Sequence, residues 1–231
     1  MHAWILGAAI AALSSAAVAT QPAVSSAAAA AQCPRESATV LERFIDADCA
    51  SCWTSAAAPQ PGANEWLLDW IVPSSRGDDA ELSAAAPAEA LQRARRALGK
   101  PPEAGITTPH RAQARADNAL HLRVQSGPAW SGYVAVQLDG SGRVPAGATA
   151  WIALVEWVDA GTDGTPVPRR LVRTVAGPFE PMELRSGKAW QRLQALRWPA
   201  TAKPVRLRAH AWIEQRDGRI VAMASERCTE P

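Results

Sequence analysis

Charge is missing from the start of this 231-residue chain, which holds no Asp, Glu, Lys or Arg before Arg35. The apolar run there, "WILGAAIAAL", is about ten residues long, half of the roughly 20 that a bilayer-spanning helix needs. Small residues ending in "AVA" at Ala17–Ala19 follow it, the pattern of a secretory signal peptide, with an uncleaved membrane anchor as the alternative. Cleavage after Ala19 or after Ala31 is expected, and Gln32 disfavours a lipid anchor on Cys33, which wants a small preceding residue. A net charge of +2 at pH 7 is too slight to indicate nucleic acid. The chain also lacks a phosphate loop, a nucleophilic triad, a paired-carboxylate site and a zincin helix. No segment repeats with a fixed period, and no low-complexity tract continues beyond the Ala/Ser-rich leader.

Cysteine is scarce but placed with meaning. Cys49 and Cys52 form a Cys-x-x-Cys (CxxC) pair, whereas Cys33 and Cys228 lie near the two ends of the exported chain. An exported protein keeps its cysteines at least partly oxidised. Three pairings exist for four cysteines, and the preferred reading joins Cys33 to Cys228 and Cys49 to Cys52, because domain termini are often close in space. A metal would need more ligands than one CxxC supplies. His110, His121 and His210 have no ligand spacing among themselves, so neither zinc nor another cofactor is expected.

The two halves differ in charge and pattern. Residues 33–118 hold nine Lys/Arg and twelve Asp/Glu, and residues 119–231 hold fifteen and ten. This supports a leader over 1–31, a first domain over 33–118 and a second over 119–231. In the first, "SATVLERFIDA" and "EWLLDWIVP" read as buried strands. The segment "WTSAAAPQPG" allows only a short helix before its prolines. "PAEALQRARRALG" is a helix with Pro87 at its start, an apolar face through Ala90, Leu91, Ala94, Ala97 and Leu98, and Gly99 as its stop. This order suggests an α/β unit with parallel strands. "HRAQARADN" has no strand pattern.

Beyond Asn118, runs such as "LHLRVQ", "YVAVQL", "ATAWIALVEWV", "RRLVRTV", "VRLRAHAWIEQ" and "RIVAMASE" alternate with turn residues and predict an antiparallel β-sandwich-like domain. "IEQRDGRIV" is its clearest hairpin, with Asp217-Gly218 at the turn. Trp66, Trp70, Trp151, Trp157 and Trp212 lie inside apolar runs and are expected in the core. Trp130 is expected in a loop, where it would line a binding surface. Arg169, Arg170, Arg173, Arg206 and Arg208 are expected on the solvent faces of strands.

A CxxC between a strand and a helix has thiol chemistry available, because free N–H groups and the helix dipole stabilise a thiolate. Cys49 would attack and Cys52 resolve. Asp46 and Asp48 oppose this, since nearby carboxylates raise a thiol pKa. The stretch "ERFIDADCASCWTSA" resembles the signature of a family of bacterial secreted proteins with a thioredoxin-like domain and no assigned function. Glu42, Phe44, Cys49, Ser51 and Cys52 match its Glu-x-Phe strand and Cys-x-Ser-Cys, and Leu171, Val172 and Arg173 match a later strand. The resemblance implies a thioredoxin-like α/β first domain with a proline, usually cis, opposite the cysteines, here Pro109 after Thr108 in "GITTPHRA". His110, beside Pro109, would then be able to face the cysteines.

The expected function is thiol–disulfide oxidoreductase chemistry in the periplasm or outside the cell, on the thiols or disulfides of envelope proteins. The alternative is a non-enzymatic envelope protein whose disulfides are staples and whose β domain binds a partner. Nucleic acid is not an expected partner, and a membrane is one only if the signal segment stays uncleaved.

Overall fold

The computed structural model describes residues 39–62, 64–113, 120–179 and 189–226. The expected signal segment, Cys33, Cys228 and the boundary at residue 118 lie outside them. The elements run β1 (Thr39–Asp46), α1 (Ala50–Trp53), β2 (Glu65–Val72), α2 (Glu89–Leu98), β3 (Thr108–Gln113), β4 (Leu120–Trp130), β5 (Tyr133–Gly142), β6 (Thr149–Val158), β7 (Arg169–Phe179), β8 (Trp190–Arg197), β9 (Leu207–Glu214) and β10 (Ile220–Ser225).

Seven strands form one mixed sheet in the order β10-β9-β6-β7-β2-β1-β3, and β4, β5 and β8 form a second sheet in the order β4-β5-β8. The larger sheet is covered on both faces, which is why β1, β2 and β6 are buried almost along their whole length. One face of β6, with Ile152 and Leu154, packs against Val124, Val136 and Leu138 of the small sheet. Its other face carries Trp151, Ala153, Val155 and Trp157 into a cluster with Phe44, Trp70 and Trp212, beneath Ala90 and Ala94 of α2. The five tryptophans expected in the core are all buried, and side chains of that size each contribute on the order of 1.5–3 kcal/mol or more. Helix α2 ends at Gly99 in the left-handed region (φ 73°), whose N–H caps the Arg95 carbonyl. Opposite Trp190, Gly140 is required by close approach, since a Cβ there would lie 2.0 Å from the indole.

The expected α/β thioredoxin-like fold is not formed; the described residues are mostly β. Strands β1 and β2 are parallel, as the pattern suggested. However, β2 pairs on its other side with β7, from a segment about 100 residues later, in parallel. The helix after the CxxC stops at Trp53, before Pro59 and Pro61, so the layer over that face is completed by strands and short 3₁₀ turns. The strand order therefore interleaves the two halves of the chain.

Three local expectations are also corrected. "TPHRAQ" forms β3 by pairing antiparallel with β1. It is an edge strand with one neighbour, so it needs no apolar pattern and tolerates Pro109. Trp130 ends β4 at the tip of the β4–β5 hairpin, across from Tyr133, and is 80% exposed. Arg169, Arg170 and Arg173 are buried, because β7 is an interior strand with layers on both faces, while Arg206 and Arg208 are half-buried.

Candidate functional site

The CxxC turn is built by hydrogen bonds that close immediately after β1. Asp46 Oδ1 accepts the Asp48 N–H at 2.8 Å and the Asp46 carbonyl accepts the Cys49 N–H at 2.9 Å. Cys49 is the N-cap of the one-turn helix α1, its Sγ accepting the Cys52 N–H at 3.2 Å. The two sulfurs are joined as a disulfide with Cα atoms 5.2 Å apart. Each cysteine is only 4% exposed. Ile45, Ala47, Ile71, Ala80 and Leu171 enclose them, with Trp53, Leu82, Ala85 and Ala86 packed outside. The enclosing segment is stitched to the turn by the Leu82 N–H, which donates to the Ala47 carbonyl at 2.9 Å.

Beneath this turn lies a sealed ion cluster. Arg43 grips Asp69 with two hydrogen bonds, Nε to Oδ1 at 2.6 Å and Nη2 to Oδ2 at 2.7 Å. Its remaining donors reach the Pro59 carbonyl at 3.0 Å and the Pro168 carbonyl at 2.9 Å. Arg169 lies 3.4 Å from Asp69 and sends Nη2 to the carbonyls of Cys52 (2.9 Å) and Trp53 (2.8 Å). A cation thus caps the carbonyl end of the disulfide turn, where the backbone carries partial negative charge. Burial pulls the Arg169 pKa below its ordinary value, Asp69 works to raise it, and the charge of Arg43 lowers it further.

Thr108 and Pro109 are placed by register beside Phe44 and Arg43 of β1, on the sheet edge away from β2. Pro109 is exposed, and the cis peptide bond of the described residues is Gly177–Pro178, so Thr108–Pro109 is trans. His110 does not face the cysteines. It points to the opposite side of β1, where its Nδ1 lies 3.2 Å from Glu42 Oε2. There Arg93 of α2 binds Glu42 through two bonds of 2.7 and 2.9 Å and Glu214 at 2.5 Å, and Trp70 donates Nε1–H to Glu42 at 3.0 Å. Burial works to raise the Glu42 pKa, but the charge of Arg93 and the hydrogen bonds of His110 and Arg93 outweigh it and hold it at about 2.

A second feature was not anticipated. On the α2 face, four consecutive strands, β9, β6, β7 and β2, contribute His210, Trp157, Arg170 and Trp66 to a cleft of about 280 Å³, closed by the Pro61 loop and Pro168. The Arg170 guanidinium lies 4.1 Å from the centre of the Trp157 ring, and Trp66 meets His210 edge-on at 5.4 Å. His210 is 5% and Trp66 7% exposed, and neither His210 Nδ1 nor Trp66 Nε1 has a hydrogen-bond partner among the described residues. Arg43 binds the carbonyl of Pro168, which lines this cleft, and that of Pro59, next to its Gln60, and so ties the cleft to the cluster beneath the disulfide. Asp69, inside "LLDWIV", was the available sequence signal, since a charge within an apolar run must find a buried partner.

No family model matches the chain, and no curated protein matches it. Among solved structures, HBP35 of Porphyromonas gingivalis is similar, with a TM-score of 0.52 and 8% identity over 87% of this chain and 80% of that one. At that identity the likeness concerns the fold alone.

Proposed function

We propose that this chain is an exported binding protein in which the Cys49–Cys52 disulfide is a structural staple. The observation that carries this reading is the enclosure of both sulfurs: at 4% exposure each, under the 80–86 segment, a partner thiolate has no line of attack on either. The staple fixes the turn whose carbonyls Arg169 caps, and through Arg43 and Asp69 it supports the walls of the aromatic cleft. Export to the periplasm or beyond is supported by the uncharged, apolar N-terminal segment and by the disulfide itself, which persists in oxidising compartments.

Thiol–disulfide exchange is the second reading. It is favoured by Cys49 at a helix N-cap with its sulfur accepting an N–H, an arrangement that stabilises a thiolate. Glutathione titration of the purified protein, with mass spectrometry to place the alkylated thiols, separates the two. A staple stays oxidised below about −300 mV, whereas a potential between about −120 and −270 mV establishes exchange instead.

A further inference from the structure

The described residues expose five large apolar side chains, and three of them, Trp130, Tyr133 and Val205, gather at one end of the molecule. Trp130 and Tyr133, 80% and 48% exposed, face each other across the tip of the β4–β5 hairpin. Between them Ser131 (φ 48°) and Gly132 (φ 79°) both lie in the left-handed region, the backbone of a tight two-residue turn that holds the pair in register. Val205, 82% exposed, sits on the 3₁₀ turn Pro204–Arg206 that leads into β9. Hairpin and turn are neighbours: the Gly132 carbonyl accepts the Trp198 N–H at 3.2 Å, and Ala129 and Val134 line one cavity of about 280 Å³ together with Pro204 and Leu207. Exposed apolar side chains scattered singly need no explanation, whereas a gathered set marks an interaction surface.

The charged residues that adjoin these three in sequence or register are cations, Arg197 opposite Tyr133 and Arg206 beside Val205. Arg197 is exposed and makes no hydrogen bond or ion pair among the described residues. Arg206 shares Asp163 with Lys203, at 2.5 and 2.6 Å, so one carboxylate answers two cations. Glu226, which lines the cavity, is engaged by Ser126 Oγ–H at 2.5 Å and the Ala209 N–H at 3.0 Å. An apolar tip thus carries a positive rim.

Size and chemistry decide what fits this end. The three side chains together expose on the order of 400 Å², about half of the roughly 800 Å² per partner that a stable protein interface buries. That is too little to hold a second copy of the chain. Trp and Tyr are the side chains that settle at a bilayer boundary, with the ring at the acyl edge and the polar atom toward the headgroups, and basic residues beside them meet anionic lipid. We infer that the β4–β5 tip and the Pro204–Arg206 turn form a docking end for a lipid bilayer that carries anionic headgroups. Trp130, Tyr133 and Val205 enter the interface, and Arg197 and Arg206 meet the phosphates. The contact lies outside the apolar N-terminal segment and goes beyond the binding-protein reading, without depending on the redox role of Cys49 and Cys52.

The test is co-sedimentation of the full chain with phosphatidylcholine vesicles, either pure or carrying about one-third phosphatidylglycerol. Binding to the anionic vesicles is expected to be at least about fivefold tighter and to weaken with salt. Trp130→Ser is expected to lose about tenfold on the anionic vesicles, and Arg197→Gln about fivefold on them and nothing on the neutral ones. Leu193→Ser removes a side chain that is 69% exposed on β8, four residues from Arg197, and is expected to bind like the unaltered chain. All three positions are exposed, so the fold survives each change. Undiminished binding of Trp130→Ser, which would assign the attachment to the N-terminal segment, overturns the inference. Equal binding to both vesicles, no binding by about 10 mM lipid, or a dimer in solution that Trp130→Ser dissociates overturns it as well. Each of these outcomes leaves the staple reading to its own redox measurement.

Discussion

Two consecutive residues of β1 point to opposite faces of the sheet, and each sits in a buried ion cluster of opposite balance. Glu42 meets Arg93 from α2, which also binds Glu214, so one helix cation serves two strand carboxylates. Arg43 meets Asp69, which also faces Arg169, so one carboxylate serves two cations. The difference follows from what lies above. Over Arg43 and Arg169 are backbone carbonyls of the CxxC turn and of Pro59 and Pro168, which take a surplus of positive charge. Over Glu42 and Glu214 are donors, the indoles of Trp70 and Trp212 and the half-exposed Arg96 and His110, which take a surplus of negative charge. The Arg43 cluster is wholly sealed, whereas the Glu42 cluster reaches solvent at its margins.

The sealed cluster should therefore be the more sensitive. Asp69→Asn, which strands two fully buried arginines, is expected to destabilise by the upper end of about 3–5 kcal/mol in urea unfolding. Arg93→Met is expected to cost the lower end, about 3 kcal/mol, because Glu42 keeps Trp70 and His110 and Glu214 keeps Trp212 and Arg96. A larger loss for Arg93→Met would reverse the ranking of the two faces.

Acid sharpens the contrast, through groups on the α2 face. Glu42 titrates at about 2 in the fold against 4.5 when free, so the unfolded chain binds more protons between those values and stability falls as pH drops through them. A shift of that size corresponds to on the order of 3 kcal/mol, and Arg93→Met should abolish this limb of the stability–pH curve. His210, about 3 in the fold against 6.5 when free, has the same sign over its own window, and His210→Gln should flatten the curve between those values. On the other face, the double change Cys49→Ala/Cys52→Ala opens a loop of only a few residues and is expected to cost roughly 2 kcal/mol or less. A loss approaching that of Asp69→Asn would mean that the disulfide, not the ion cluster, holds the turn. Trp70→Phe, which removes one hydrogen bond to Glu42, should cost the least, about 1 kcal/mol.

Much of the local structure was legible. The apolar runs "VLERFID" and "EWLLDWIV" became β1 and β2, the Pro87–Gly99 pattern became α2, and the antiparallel runs after residue 119 became strands. The CxxC was found where the strand ends, and its disulfide is present. The aromatic cleft was not legible, because Trp66, Trp157, Arg170 and His210 each read locally as a core or surface residue of its own strand. The arginines of "RRLVR" were misread because alternation shows which side chains share a face but not that a second layer covers it.

By itself, then, the sequence determined which segments are strands and helices, which aromatic side chains are core and where the cysteine turn lies, since these follow from periodicity and turn chemistry within a few residues. Only the tertiary structure decided that β7 lies beside β2, that β3 edges β1 and that two charge clusters lie back to back across one strand. The reason is distance along the chain: Arg43 finds the Pro168 carbonyl 125 residues away and Arg93 finds Glu214 121 residues away. No local pattern encodes a partner that only the closing of the sheet brings within reach.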